Sequence, residues 1–270
     1  MKRSRTWCLR HSKISGPFAV LAVLIATVSA VSACSPAEPV SGAGSPTLPA
    51  GSAATGPSMP TAPTTALALL ATLAVKGRAP NTGYSRAQFG PAWTDDNDDP
   101  DGHNGCDTRN DVLRRDLTAV TIKPGSNGCT VLSGTLHDPY TGATIAFTRG
   151  TRTSGAVQID HVVALDDAWQ TGAQYWPARR RVDLANDPLE LLAVDGPANE
   201  AKGAGDAATW LPPNKAYRCA YVARQVAVKA RYGLWVTPAE RDAIARVLGG
   251  CPGQQAPTEP GSVPAARAAA

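Results

Sequence analysis

Between Ser35 and Thr65 the chain is built of Ser, Ala, Gly, Pro and Thr, with Glu38 as its single charge and almost no large apolar side chain. Such a segment cannot bury enough surface to offset its chain entropy, so it predicts a disordered linker, set at residues 34–65. A second low-complexity stretch, residues 253–270, ends in Ala-Ala-Ala and predicts a disordered tail. Core-building is thereby confined to residues 66–252. That length suits one domain around one hydrophobic core, and no internal repeat divides it.

Ahead of the linker, Lys2, Arg3, Arg5, Arg10 and Lys13 precede an apolar run from Pro17 to Ala33. A charged segment, an apolar segment and small residues before a cysteine read as an export signal over residues 1–33. The run is shorter than the roughly 20 residues that span a bilayer comfortably, although an uncleaved anchor helix is the competing reading. Val31-Ser32-Ala33-Cys34 resembles a bacterial lipobox, which would make Cys34 a lipid-modified N-terminus. The domain is then expected outside the cytoplasmic membrane, tethered by lipid or else secreted.

Beyond position 33 the chain carries 21 basic residues against 22 acidic ones. Near-neutral charge gives no support to non-specific polyanion binding, so any nucleic-acid contact needs a local patch. Arg179, Arg180, Arg181, Lys202, Lys215, Arg218, Arg224, Lys229 and Arg231 offer one, with a solvated helix face as the plain alternative for each. Four cysteines fall in the domain: Cys106, Cys129, Cys219 and Cys251. None makes a Cys-x-x-Cys pair, which argues against a zinc staple and for disulfides. Of three pairings the sequence-local one, Cys106 with Cys129 and Cys219 with Cys251, is favoured. Loops of these lengths would contribute roughly 3 to 4 kcal/mol each in the chain-entropy picture.

Patterning predicts a mixed α+β domain. Helices are expected over Thr65–Lys76 and Asp107–Leu117, and a hairpin from Val131–Leu136 and Ala143–Thr148. Strands are expected at Gln158–Val163 and Leu189–Val194, then a helix from about Asn199. Tyr217, Tyr221, Val222 and Val228 predict a helix broken at Gly233. Thr237-Pro238-Ala239-Glu240 reads as a capping box that starts a last helix ending at Gly249-Gly250.

The chemistry is concentrated in Asp160-His161, Asn186-Asp187-Pro188 and Asn199-Glu200-Ala201-Lys202. Phosphodiester hydrolysis needs an activated water, charge neutralisation on phosphate oxygens and help for the leaving alkoxide. His161 can accept the proton of the attacking water, with a rate expected to rise through the imidazole range. Asp160 and Asn199 are oxygen donors suited to one hard divalent cation, Mg²⁺ or alternatively Mn²⁺. Lys202, three residues after Asn199, shares its helical face and could meet a phosphate. Asn186 could hold the His161 loop through its amide. Successive strand residues point to opposite faces, so Asp160 and His161 must sit at a strand end or bulge to serve one site.

The order Asp-His-Val-Val-Ala-Leu, Asn-Asp-Pro-Leu-Glu-Leu-Leu, Asn-Glu-Ala-Lys-Gly resembles the HNH endonuclease family. Within it the chain looks like the subgroup of the GmrSD restriction-enzyme C-terminal domain, of the secreted actinobacterial type. Asn104-Gly105-Cys106-Asp107-Thr108-Arg109-Asn110 upstream, and Trp210-Leu211-Pro212 with Tyr217-Arg218-Cys219 downstream, belong to the same likeness. The resemblance implies a ββα-metal (HNH) finger embedded in a single domain with peripheral helices and a β-hairpin. It implies His161 as general base, Asp160 and Asn199 as metal ligands, Asn186 as the central Asn and Lys202 as the basic residue after the second ligand.

Two positions depart from the family pattern. Its last ligand is often His, here Asn199, and the connection from His161 to Asn186 is long and carries Trp169, Tyr175 and Trp176. Those rings beside the three arginines could contact bases, with core packing as the stronger alternative. Asp206 and Glu190 are undecided further ligands; Arg109 and Arg180 are candidate phosphate contacts. Asn97, Asp99, Asp101 and Gly102 fall at EF-hand spacing, but the twelfth place is Thr108, so a solvated acidic turn is expected. The expected function is an exported metal-dependent endonuclease on nucleic acid, DNA rather than RNA, with no small-molecule cofactor. A catalytically silent surface-binding module and a phosphodiesterase for other substrates are the alternatives.

Overall fold

The computed structural model describes residues 65–259. The expected export signal, the lipidation point at Cys34, nearly all of the linker and the end of the tail lie outside them. The first tail residues are a correction. Gln255 bridges Thr65 and Ala66 N donates to Gln254 O at 2.9 Å, because the Cys219–Cys251 disulfide carries the chain back over the domain.

The domain is mixed α+β. Helix α1 (Ala66–Leu70) is capped by Thr65 and ends sooner than the apolar run predicts. Its continuation turns extended instead, Val75 bridging Val236. Helix α2 (Thr108–Asp116) starts where the Asp107 carboxylate accepts from Asn110 N at 2.9 Å. Strands β1 (Leu117–Ile122), β2 (Val131–His137) and β3 (Thr144–Thr148) form an antiparallel sheet in that order. The expected hairpin is β2–β3, whose turn is closed by the Asp138 carboxylate on Thr141 N at 2.7 Å. β1 was hidden by a register break between Thr118 and Thr121, with Ala119 at φ 50°. Cys106–Cys129 ties the entry of α2 to the entry of β2.

A second sheet pairs β4 (Val157–His161) with β5 (Leu191–Asp195) antiparallel, Asp160 opposite Leu192 and His161 opposite Leu191. Residues 162–190 between them fold as α3 (Leu165–Gln170) and α4 (Ala178–Asn186), which patterning did not anticipate. After β5 come α5 (Gly196–Lys202), α6 (Arg218–Tyr232) and α7 (Pro238–Gly249).

The β4–β5 pair is sandwiched. Leu191 and Ala193 face α2 and the first sheet, packing with Val112, Leu113 and Phe147. Leu192 and Val194, one step along, face the other way and pack with Tyr221, Val222 and Val226 of α6. Period-two alternation thus buries both sides of a two-stranded sheet. Buried polar groups of α6 then fix the strand ends. Arg224 donates to Leu189 O and Leu191 O at 2.6 and 2.8 Å, and Gln225 to Val162 O at 3.0 Å. The end of β4 is therefore held in place by packing and by the Gln225 donor to the carbonyl of Val162, the residue just after the strand.

Candidate functional site

Asp160 and His161 are the last two residues of β4, which places the pair at a strand end. The His161 ring stacks on Trp93, centroids 5.7 Å apart and planes 14° from parallel. Its Nε2 lies 3.1 Å from Ala185 O. A carbonyl only accepts, so Nε2 carries the proton and Nδ1 keeps the lone pair. Burial, helped by the charges of Arg86 and Lys202, pushes the imidazole down to about 3. The ring is neutral throughout the neutral range, and the expected titration near its ordinary value is corrected. Desolvation of the cation is the cause.

Two clefts meet at this ring. One, of about 330 Å³, is lined by Asp160, His161 and Asn199 together with Arg86, Asp166 and Glu200. The other, of about 210 Å³, is lined by His161, Asn186, Phe89, Trp93 and again Arg86. Helix α5 is set against β4 by Gln158, which accepts from Asn199 Nδ2 and donates to Glu200 Oε1, both at 2.8 Å. Gly196 is required at its start, because a Cβ there would stand 2.1 Å from Gly155 O. Asp195 caps the helix by accepting from Ala198 N at 2.8 Å.

Asp160 is buried and held on both oxygens, Oδ1 by Lys202 Nζ at 2.8 Å and Oδ2 by the Tyr140 hydroxyl. Lys202 Nζ also donates to His161 O at 2.6 Å. The ammonium is fully buried, so Lys202 is corrected from a substrate contact to a strut joining α5 to the end of β4. The helical-face argument placed it near the right residues but could not read its depth.

Other sequence candidates are likewise taken up by the fold. Among the described residues Asn186 makes no hydrogen bond to the imidazole, although both line the second cleft. It ends α4, donates to Val182 O at 2.9 Å and accepts from Thr108 Oγ1 at 3.0 Å, while its neighbour Ala185 holds the ring. Arg109 donates to Val157 O at 3.0 Å, and Arg180 to Tyr232 O at 2.7 Å while lying over the Trp176 ring. Arg179 clasps Asp96 and Asp98, and Arg181 holds Gln88 O at 2.7 Å. Most of the expected basic patch is thus spent on structure, its guanidinium groups paired with carbonyls or carboxylates, while Lys215 stays exposed. Trp169 packs in the core beside Phe89 and Tyr84, whereas Tyr175 is 69% exposed and stacks on Trp235.

The acidic loop closes on itself. Asn97 Oδ1 accepts from Asp99 N, and the Asp95 carboxylate accepts from Asn104 N and Gly105 N. Neither undecided ligand reaches the first cleft. Glu190 is fully buried and receives Val163 N on both oxygens, which leaves burial to push its carboxyl well up. Asp206 belongs with Asp167 and Glu240, a carboxylate cluster already countered by Arg78 and Lys229 at 2.7 to 2.9 Å. Arg86, Trp93 and Asp166 are lining residues that sequence reasoning missed, while Glu200 entered only as part of its motif. The only signal for Arg86 and Trp93 was their place in a Pro- and Gly-punctuated stretch, which says nothing of where it docks.

Residues 107–247 match the family described as GmrSD restriction endonucleases, C-terminal domain. A protein of Arthroderma benhamiae, named only as an uncharacterized secreted protein, is 37% identical over 179 residues, which are 66% of this chain and 80% of that protein. No solved structure matches. Among the described residues no helix is long and apolar enough to cross a membrane.

Proposed function

We propose, from the premise that the chain belongs to the family of GmrSD restriction endonuclease C-terminal domains, that it is an exported, metal-dependent endonuclease cleaving phosphodiester bonds of nucleic acid. The observation that carries the reading is a buried neutral imidazole at a strand end, whose Nε2–H donates to Ala185 O and which lines one cleft with Asp160 and Asn199. In this reading β4, β5 and α5 are the ββα finger of the HNH family. Export with a lipid anchor at Cys34, and DNA in preference to RNA, complete it.

The donor set fits a hard divalent cation, Mg²⁺ or Mn²⁺. Among the described residues no protein donor reaches Asn199 Oδ1, and each Asp160 oxygen, with one donor already, keeps a lone pair. When bound, the cation supplies neutralisation of charge on the phosphate oxygens. His161 Nδ1 takes the proton of the attacking water, acting as a weak base because burial disfavours its cation. Lys202 and Tyr140 hold the Asp160 carboxylate in one orientation, and Trp93 holds the plane of the base.

The test is plasmid and RNA digestion by the full chain with Mg²⁺ or Mn²⁺, with EDTA as the stop. Wild-type cleavage lost in His161→Ala supports the assignment. Engagement of both Asp160 oxygens favours the rival, a silent binding module, and it is the outcome if the folded protein never cleaves.

A further inference from the structure

We propose that Arg86 is the phosphate-binding residue of this site, a contact that anchors the backbone of the nucleic acid where the two clefts meet. The inference rests on the nuclease reading but is testable apart from it.

Arg86 opens a short 3₁₀ turn, Arg86–Phe89, that lies outside the family-matched segment. Its side chain is exposed, and it is the one Lys or Arg among the residues lining either cleft, where it lines both. Among the described residues no hydrogen bond or ion pair engages its guanidinium. Every other basic candidate near the base is occupied: Lys202 by Asp160, Arg109 by Val157 O, Arg180 by Tyr232 O and Arg181 by Gln88 O.

The platform under it is rigid. Phe89 is buried against Trp169, Arg181 holds the carbonyl of Gln88, and Gly90 follows at φ 81° where a Cβ would stand 2.6 Å from Val182. A guanidinium offers five donors in a planar fork and cannot deprotonate, which suits it to a phosphate. The first cleft otherwise carries Asp160, Asp166 and Glu200, which repel a polyanion. One cation at the rim is therefore what lets a phosphodiester approach acidic walls and a neutral base. A contact of this kind reads the backbone and not the bases, so it gives affinity without sequence preference.

The experiment measures binding of fluorescent oligonucleotides, single- and double-stranded, to the intact protein in EDTA by anisotropy over a salt series. Arg86→Gln is expected to weaken binding roughly 10- to 100-fold on every sequence, the range for losing a charged hydrogen-bonding partner. It should also lower the salt-dependence slope by about 1. Arg86→Lys should recover part of both. Lys123→Gln, an exposed lysine lining neither cleft, should keep the wild-type slope and affinity. Wild-type affinity and slope in Arg86→Gln would overturn the proposal, as would failure of the wild type to bind any oligonucleotide. Arg86-dependent binding without cleavage in Mg²⁺ or Mn²⁺ would leave Arg86 in place and remove the nuclease reading instead.

Discussion

At the scale of single residues the buried imidazole of His161 leaves a thermodynamic trace. The His161 pKa falls to about 3 in the fold against an ordinary 6.5, so the unfolded chain binds this proton and the folded one does not. Its share of stability is present in full above about pH 6.5 and is lost as pH falls toward 3, at up to about 1.4 kcal/mol per pH unit. Thermal melts from pH 7 to 4 should therefore show a falling melting temperature whose slope shrinks in His161→Ala. A slope unchanged by the substitution would contradict the buried neutral ring. The same shift predicts a rate profile without an imidazole limb between pH 5 and 8, checked by single-turnover cleavage across that range. Asp160-His161 was legible because the two groups are adjacent in sequence. Arg86 was not, since only the docking of its turn on Trp169 and Val182 brings it within reach.

The elements differ in how much of their form is local. Thr237 and Glu240 exchange both capping hydrogen bonds, 3.1 and 3.2 Å, because the motif is complete within four residues. α6 stops at Gly233, φ 67°, for an equally local reason. β1 escaped notice because its irregular register breaks the alternation that marks a strand, α3 because it is only six residues long, and α4 because three consecutive arginines interrupt any apolar period. The mixed α+β class was readable from the rest. α5 carries the sharpest prediction at this scale. Gly196→Ala forces a methyl toward Gly155 O, and overpacking of that kind costs roughly 1–3 kcal/mol. The melting temperature should drop by several degrees, and kcat/KM should fall further than that loss implies, since Asn199 and Lys202 ride on the helix. Wild-type kcat/KM in a folded Gly196→Ala protein would show that α5 placement is immaterial.

Across the whole molecule, charges far apart in sequence are gathered inside it. Arg78 precedes the matched segment, yet it joins Asp167 at 2.8 Å and Asp206 at 2.7 Å, while Lys229 joins Asp167 and Glu240 at 2.9 and 2.7 Å. Three carboxylates around two cations leave the cluster short of positive charge, and burial first, then Asp167, pushes Glu240 up to about 7 against the pull of Lys229. Lys229→Met would strand those carboxylates in the interior. A loss of roughly 3–5 kcal/mol is expected, read as a lower urea midpoint, whereas an unchanged midpoint would mean the cluster is wetter than its geometry implies.

The carbonyl of Ala185 has an architectural consequence. It belongs to the excursion between β4 and β5, so the proton on the His161 ring is parked by a segment that looks like a removable decoration. Any attempt to graft the two strands and α5 onto another scaffold, or to trim the excursion toward a minimal domain, would set the ring loose to choose its own tautomer.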